Sequence, residues 1–275
     1  VVAPLHHPVR IAEEWSTLDN LSKGRIGISF GSGFHPKDFI LAPEKFENRK
    51  EEMFKAIETI EKLWKGESIT AASGVNGDFT VRLFPTPYAE SLPTWLSTTR
   101  SHDTFIEAGT RGYNILTALL RLSIEELKER IDIYREAREK AGHSKSDGIV
   151  TLMLHTFIGP GMDYVRSIVE QPLKQYLRNH LEHTEAVSIE KADAPVKLST
   201  EEEEQLLDHA FNRYFENNSL IGTEDSCIET IKSLKDAGVD EIACLVDFGV
   251  DEKAFHTGLK HLNMLRLNSE NLALT

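Results

Sequence analysis

The sequence predicts an α/β fold built around a parallel sheet, and two observations carry this prediction. Six short β-type runs alternate with helical segments along the 275 residues of the chain. The longest run, at residues 149–157, is apolar on both faces, as a strand buried inside a parallel sheet should be. This alternation fits either a doubly wound sheet or an eight-stranded (β/α) barrel that lacks two of its βα units.

The predicted strands have local signals of their own. Residues 25–30 alternate in polarity and include β-branched side chains, and the glycine-rich turn that begins at Gly31 ends the run. Residues 66–90 contain Ser-Gly and Asn-Gly pairs, so we expect an excursion outside the main sheet there. The strands of the main sheet are predicted at residues 1–3, 25–30, 93–97, 114–118, 149–157 and 241–245.

The helices are predicted from apolar side chains spaced three and four residues apart. Ser123 begins one of them, with Glu126 three residues later, which is the pattern of a capping box. The last predicted helix ends at Leu265, so residues 1–265 are interpreted as one domain and residues 266–275 as a C-terminal tail or linker. The predicted helices lie at residues 9–21, 43–64, 102–109, 123–141, 222–237 and 251–265, with further helical stretches after residues 161 and 200.

Composition and charge narrow the class of protein. Thirty-one basic and 44 acidic residues give a net charge of −13, which disfavours nucleic acid and anionic membranes as partners. No apolar run approaches the length of about 20 residues that spans a bilayer. Cys227 and Cys244 form no paired framework, so we expect two buried thiols and a cytoplasmic, reducing location. Because the chain starts without Met, on what looks like the end of a strand, we expect it to begin inside a domain.

Polar residues cluster where the predicted strands end, which is the face on which parallel α/β folds place their ligands. The turn Gly31-Ser32-Gly33 is either an ordinary loop or a place where backbone approaches a ligand. The segment after the strand at 93–97 has hydroxyls and Arg100 at the start of a helix, which suits either an anion site or simple capping. His155 is either a core histidine or a ligand-facing one near a strand end.

The sequence lacks the motifs of several common enzyme classes. The sequence has no GxxxxGK[ST], no GxGxxG after a strand and no GxSxG, so it does not indicate a P-loop nucleotidase, a Rossmann dehydrogenase or an α/β-hydrolase. His180 and His183 lie near two glutamates but lack the HExxH spacing. We therefore predict no metal site.

Four segments resemble the bacterial-luciferase-like, flavin-dependent monooxygenases. They are PLHHPVRIAEEWSTLDNLSKGRIGISFGSGFHPKDF at 4–39, LPTWLSTTRSHDTFIEAGTRGYNIL at 92–116, VTLMLHTFIG at 150–159 and LIGTEDSCIETIKSLKDAGVDEIACLVDFG at 220–249. The resemblance is closest to the subgroup found as domains in peptide-synthetase and polyketide-synthase assembly lines. It implies a TIM-type (β/α)8 barrel whose first two βα units have no counterpart in this sequence.

The resemblance also implies roles for individual residues. Ser101 and Thr104 match hydroxyl residues that hold the flavin phosphate, with Thr99 and Arg100 beside them. His155 resembles a histidine on the substrate side in alkanesulfonate monooxygenases, which makes it a candidate for proton transfer. Luciferase has a phosphate-binding arginine where this chain has Ser32, so Arg100 should carry more of that task. The remaining cofactor-site matches are Glu13, on the helix after the third strand, and the turn residues Gly31, Ser32 and Gly33.

The activity implied by the resemblance is oxygenation of a small or carrier-bound substrate with O₂ and reduced FMN, in natural-product biosynthesis. A separate flavin reductase would supply the reduced FMN, and the chain would act as a homodimer or as part of a multidomain synthase. Two alternatives stay open: a deazaflavin-dependent oxidoreductase that transfers hydride, and a flavin-binding relative without turnover.

Overall fold

A sheet of six strands, all paired in parallel, forms the centre of the structure. The computed structural model describes residues 1–119, 122–189 and 200–272. The sheet strands are β1 (Ile28–Phe30), β4 (Thr94–Ser97), β5 (Asn114–Ala118), β6 (Val150–Ile158), β7 (Leu220–Gly222) and β8 (Glu241–Leu245). The helices are α1 (Pro8–Ser22), α2 (Arg49–Trp64), α3 (His102–Arg111), α4 (Ile124–Lys140), α5 (Met162–Ile189), α6 (Thr200–Asn217), α7 (Glu224–Asp236) and α8 (Glu252–Leu272).

The strand order is β1-β4-β5-β6, and β6 then pairs with two further strands. Its middle, Thr151 to His155, pairs with β8, and its last residues, Thr156 to Ile158, pair with β7. At the other edge, Val2 forms a single parallel bridge to Gly31. In the part of the chain that the structure describes, the sheet does not close on itself, because β8 pairs only with β6.

The excursion lies outside this sheet. Strands β2 (Ile69–Ala72) and β3 (Asp78–Val81) pair with each other antiparallel and form a separate two-stranded sheet. Their side chains are mostly exposed. The expected excursion outside the main sheet at residues 66–90 is therefore a short antiparallel hairpin.

Except for the edge strand β8, whose residues are exposed or half-buried, each main-sheet strand has buried residues that pack under the helices. Phe30, Leu96, Ile115 and Leu152 are fully buried in the principal core, together with apolar side chains of the helices on that side. We call this side of the sheet the outer face. Because successive side chains of a strand point to opposite faces, Ser29, Trp95, Thr151 and His155 lie on the other side, the inner face.

Several boundaries differ from those predicted. The strand expected at residues 1–3 is only the Val2 bridge, because Ala3–Leu5 turns into a 3-10 helix. β7 was not predicted, since three residues are too short for a readable alternation. Helix α2 begins at Arg49 instead of residue 43, because two 3-10 turns with proline in their first turn precede it.

Two further expectations at the C-terminal end were wrong. The helix predicted to end at Leu265 continues as far as Leu272, since no proline or glycine interrupts α8 after its apolar spacing fades, while the interpretation of residues 266–275 as a tail or linker stays a prediction. Residues 273–275 lie outside the described part. Cys227 is buried as expected, whereas Cys244 is exposed because it lies on the edge strand β8.

Gly33 is required by the backbone of the turn after β1. Its φ is +80°, and an added Cβ would lie 2.8 Å from the Phe39 ring and 2.9 Å from Val2 Cγ1. We expect Gly33→Ala to lower the free energy of unfolding by about 1–3 kcal/mol, measured by chemical denaturation.

Gly31→Ala is the matched control for this prediction. A Cβ at Gly31 would meet only Ser97 Cβ, at 3.8 Å, which is ordinary contact, and its φ is not positive. Equal loss of stability in both variants would contradict the backbone explanation.

Candidate functional site

The carboxyl ends of β1 and β4 bring two of the predicted site segments together. Phe30 of β1 pairs with Leu96 of β4, so the glycine turn and the segment after Ser97 leave from neighbouring strands. Ser29 Oγ and Ser97 Oγ lie 2.9 Å apart and share a hydrogen bond across the inner face. The two segments therefore border one region at the carboxyl edge of the sheet.

The turn Gly31-Ser32-Gly33 is shaped by contacts with the rest of the chain. Gly31 N–H donates to Val1 O at 2.9 Å, and Gly33 O accepts from Arg49 Nε at 3.1 Å. Ser32 is half-buried, with its Oγ 3.5 Å from Gly33 O. Gly33 is needed for packing, while Gly31 leaves room beside Ser97, as a wall of a site requires.

The start of α3 is a well-formed helix cap that also presents hydrogen-bond donors. Ser101 is the N-cap residue, and its Oγ accepts from Thr104 N–H at 3.3 Å and from Thr104 Oγ1 at 3.1 Å. Because Ser101 Oγ accepts both bonds, its own proton points elsewhere and is available to another acceptor. The N–H groups of His102 and Asp103, the first two of the helix, have no carbonyl partner within it, so they are available as well.

The charges around this helix start suit a phosphate. Arg100 and Ser101 are exposed, and Thr99 and Thr104 are half-exposed. Asp103 adds a carboxylate to the first turn, which opposes a second anion. The Arg100 guanidinium is the cation that offsets this repulsion. Hydroxyls, free N–H groups and one arginine together fit a flavin phosphate.

His155 lies on the inner face of β6, where it is buried and paired in register with Leu245 of β8. Three aromatic rings surround its imidazole, each approaching edge to face. The distances between ring centroids are 4.6 Å to Tyr176, 5.8 Å to Tyr214 and 5.7 Å to Phe248. Helices α5 and α6 supply the two tyrosines, so this helix pair covers the carboxyl end of the inner face.

A second polar feature crosses the inner face further from the carboxyl edge. Trp95 Nε1 donates to Thr151 Oγ1 at 3.0 Å, and Thr151 Oγ1 donates to Glu241 Oε2 at 2.9 Å. Gly27 makes room for the indole, since a Cβ there would lie 2.5 Å from the ring. Alternation along each strand could have placed these side chains on one face, but it does not reveal which of them touch.

Glu13 is a predicted site residue on α1, and no described contact joins it to the other predicted site residues. It is exposed on α1, and only its backbone oxygen is engaged, by Ser16 Oγ and Thr17 Oγ1. Its role toward a cofactor stays a prediction. The structure brings together the Gly31 turn and the Arg100 segment, and it places His155 two strands away from β4 on the same face.

The described residues include no group of three or more His, Cys, Asp or Glu side chains that could hold a metal ion. Across the same residues, no helix combines the length and apolarity needed to cross a membrane.

A parallel α/β sheet with helices on its outer face and polar residues at its carboxyl edge defines the class of α/β proteins that bind their ligands at that edge. Comparison with known proteins identifies the family within this class. The model of the luciferase-like monooxygenase family matches residues 1–241, and the chain belongs to that family.

Curated relatives with detectable similarity include alkanal monooxygenase alpha chains. The one from Photobacterium leiognathi is 26% identical over 147 residues, which cover 52% of this chain and 40% of the relative. The one from Photorhabdus luminescens is 26% identical over 189 residues, which cover 66% of this chain and 48% of the relative. The matched part thus spans less than half the length of these relatives.

Solved structures support the fold assignment. The oxygenating constituent of 3,6-diketocamphane monooxygenase from Pseudomonas putida, in complex with FMN, superposes with a TM-score of 0.69 at 18% identity, covering 95% of this chain and 75% of that one. A long-chain alkane monooxygenase superposes with a TM-score of 0.69 at 16% identity, and the match covers 97% of this chain and 67% of that one. An F420-dependent secondary alcohol dehydrogenase superposes with a TM-score of 0.64 at 18% identity, and the match covers 93% of this chain and 74% of that one. The fold is of the luciferase-like barrel type, as the sequence predicted.

Proposed function

We propose that this chain is the flavin-binding part of a monooxygenase that uses reduced FMN and O₂ to oxygenate an organic substrate. The observation that carries the proposal is the helix start at Ser101, with the hydroxyl of Thr104 and with Arg100 beside it, on the strand next to the turn at Gly31. Family membership supports the same conclusion. A separate reductase would supply the reduced flavin, and a small or carrier-bound substrate in natural-product biosynthesis fits the assembly-line resemblance.

Each part of the site has a distinct task in this proposal. Arg100, Ser101 Oγ and the first N–H groups of α3 bind the phosphate, while Gly31 leaves room for the cofactor beside Ser97. Reduced FMN supplies the electrons that activate O₂. His155 holds or moves a proton at Nε2 during oxygen transfer. The aromatic side chains of α5 and α6 exclude water from the imidazole.

The test is binding and oxygen consumption with FMN in both redox states. We expect calorimetry to detect FMN binding, and reduced FMN with a medium-chain alkanal as probe substrate to give O₂-dependent product. Failure to bind FMN in either redox state would overturn the proposal.

A second candidate function is deazaflavin-dependent hydride transfer, which the similarity to the F420-dependent dehydrogenase favours. It predicts binding of F420 and no oxygenated product. A flavin-binding relative without turnover would instead bind FMN and consume O₂ only at the uncoupled background rate. The same two measurements separate all three outcomes.

A further inference from the structure

A small cavity lies under the helix pair α5 and α6, next to His155. Its volume is about 40 Å³. The strands contribute Ala118 of β5, Met153 and His155 of β6, and Leu245 of β8. The helix pair covers these side chains from above. The rest of the lining consists of Tyr176 and Leu177 of α5, Tyr214 of α6, Asn218 just after α6, and Leu119 just after β5.

The cavity is open at one side and closed at the other. Met153 and Tyr176 are 37% and 38% exposed, so they lie at its mouth. Leu177 is buried at 5% exposure, and the imidazole of His155 is at 7%. A group that entered past Met153 would therefore meet an apolar wall and the imidazole edge.

The lining offers no permanent positive charge to an anionic group; its polar groups are the His155 imidazole, two tyrosine hydroxyls and the Asn218 amide. Among the described residues that border the cavity there is no Lys, Arg, Asp or Glu. Both amide protons of Asn218 are already used, on Leu119 O at 2.6 Å and Leu122 O at 3.2 Å. Burial raises the pKa of Tyr176 above its ordinary value, and the negative charge of the Asp247 carboxylate raises it further. The charge that acts on this tyrosine is therefore negative.

The size of the cavity limits what it can take. One water molecule needs about 10–15 Å³, so the cavity has room for a group of roughly two or three heavy atoms. Burying a carboxylate or sulfonate in such a lining is unfavourable, whereas burying an alkyl group is favourable.

We propose that this cavity binds the uncharged, apolar group joined to the reacting carbon of the substrate, next to His155, and that it discriminates against anionic groups at this position. That the bound group belongs to a substrate rests on the proposed monooxygenase function. Binding of an apolar group in the cavity does not, because the cavity is formed by the protein alone.

The experiment compares a neutral and an anionic probe of similar length in the absence of flavin. Pentan-2-one and pentanoate are titrated into protein labelled with ¹³C at the methionine methyl groups, of which the chain has four. We expect the Met153 methyl resonance to shift with pentan-2-one and to show about tenfold or more weaker binding of pentanoate. Pentanoate binding as tightly as the ketone would overturn the proposal.

Two variants localise the effect and test its cause. Ala118→Leu fills the cavity from β5 and should abolish the shift, whereas Ala72→Leu, the same change at an exposed position of β2, should leave it unchanged. Leu245→Lys adds a cation on the edge strand and should make pentanoate the preferred probe. Persistence of the shift in folded Ala118→Leu protein would place the ketone elsewhere. If Leu245→Lys does not fold, the wild-type comparison and Ala118→Leu still decide the outcome.

Because no flavin is present, failure of this experiment leaves FMN binding untouched. Conversely, a chain that binds the ketone but not FMN would retain the cavity and lose the proposed function.

Discussion

Replacing Arg100 by Ala is expected to weaken FMN binding by roughly ten- to a hundredfold, the equivalent of one charge-assisted hydrogen bond to phosphate. The reason is electrostatic: Asp103 adds a negative charge to the first turn of α3, and the guanidinium offsets it. Calorimetry with FMN and with riboflavin measures the effect. Riboflavin has no phosphate, so its affinity should not change.

Arg10→Ala is the matched control for Arg100→Ala. Arg10 is 74% exposed on α1 and pairs only with Glu14 on the same helix, so its removal should alter neither flavin's affinity. An equal loss for FMN and riboflavin in Arg100→Ala would show that the arginine supports the structure of the segment rather than the phosphate. No loss for either would remove Arg100 from the site.

Replacing His155 by Gln is expected to lower the rate of product formation by about 10²–10⁴-fold, the usual contribution of general acid–base catalysis. Glutamine keeps a polar side chain of similar length but cannot exchange a proton near neutral pH. FMN affinity should be retained, because the proposed anion site lies between β4 and α3, two strands away from β6. The measurement is product formed from a medium-chain alkanal with reduced FMN and O₂, alongside FMN titration.

His256→Gln serves as the control for the same chemical change. This histidine is 64% exposed on α8 and lies 3.9 Å from Glu252, away from the cavity lining. Unchanged product formation in His155→Gln would exclude the proposed proton transfer. Loss of FMN binding together with product would instead assign His155 a structural role.

Much of the fold was readable from local sequence. The capping box at Ser123 and Glu126 is present with both of its hydrogen bonds, and β5 has the predicted bounds. These signals work because a cap or an alternating strand involves residues a few positions apart. The helix start at Ser101 was predicted for the same reason, and Thr104 forms the expected cap bonds with it.

The failures have an equally physical explanation. A strand of three residues such as β7 has no periodicity of its own and forms because the end of β6 offers it a partner. The end of α8 was predicted too early, because regularly spaced apolar residues indicate only where a helix is buried. The helix itself continues as long as its backbone hydrogen bonds are uninterrupted. The exposure of Cys244 depends on its strand being at an edge, which no local pattern encodes.

The sequence by itself determined the alternating α/β order, the glycine turn after β1 and the hydroxyl-rich start of α3, since each depends on neighbouring residues. Only the tertiary structure decided that Ser29 bonds to Ser97 and that Tyr176 and Tyr214 enclose His155. Those contacts join segments far apart in the chain. They depend on strand order and on how helices α5 and α6 pack over the sheet, and that packing is a property of the whole core.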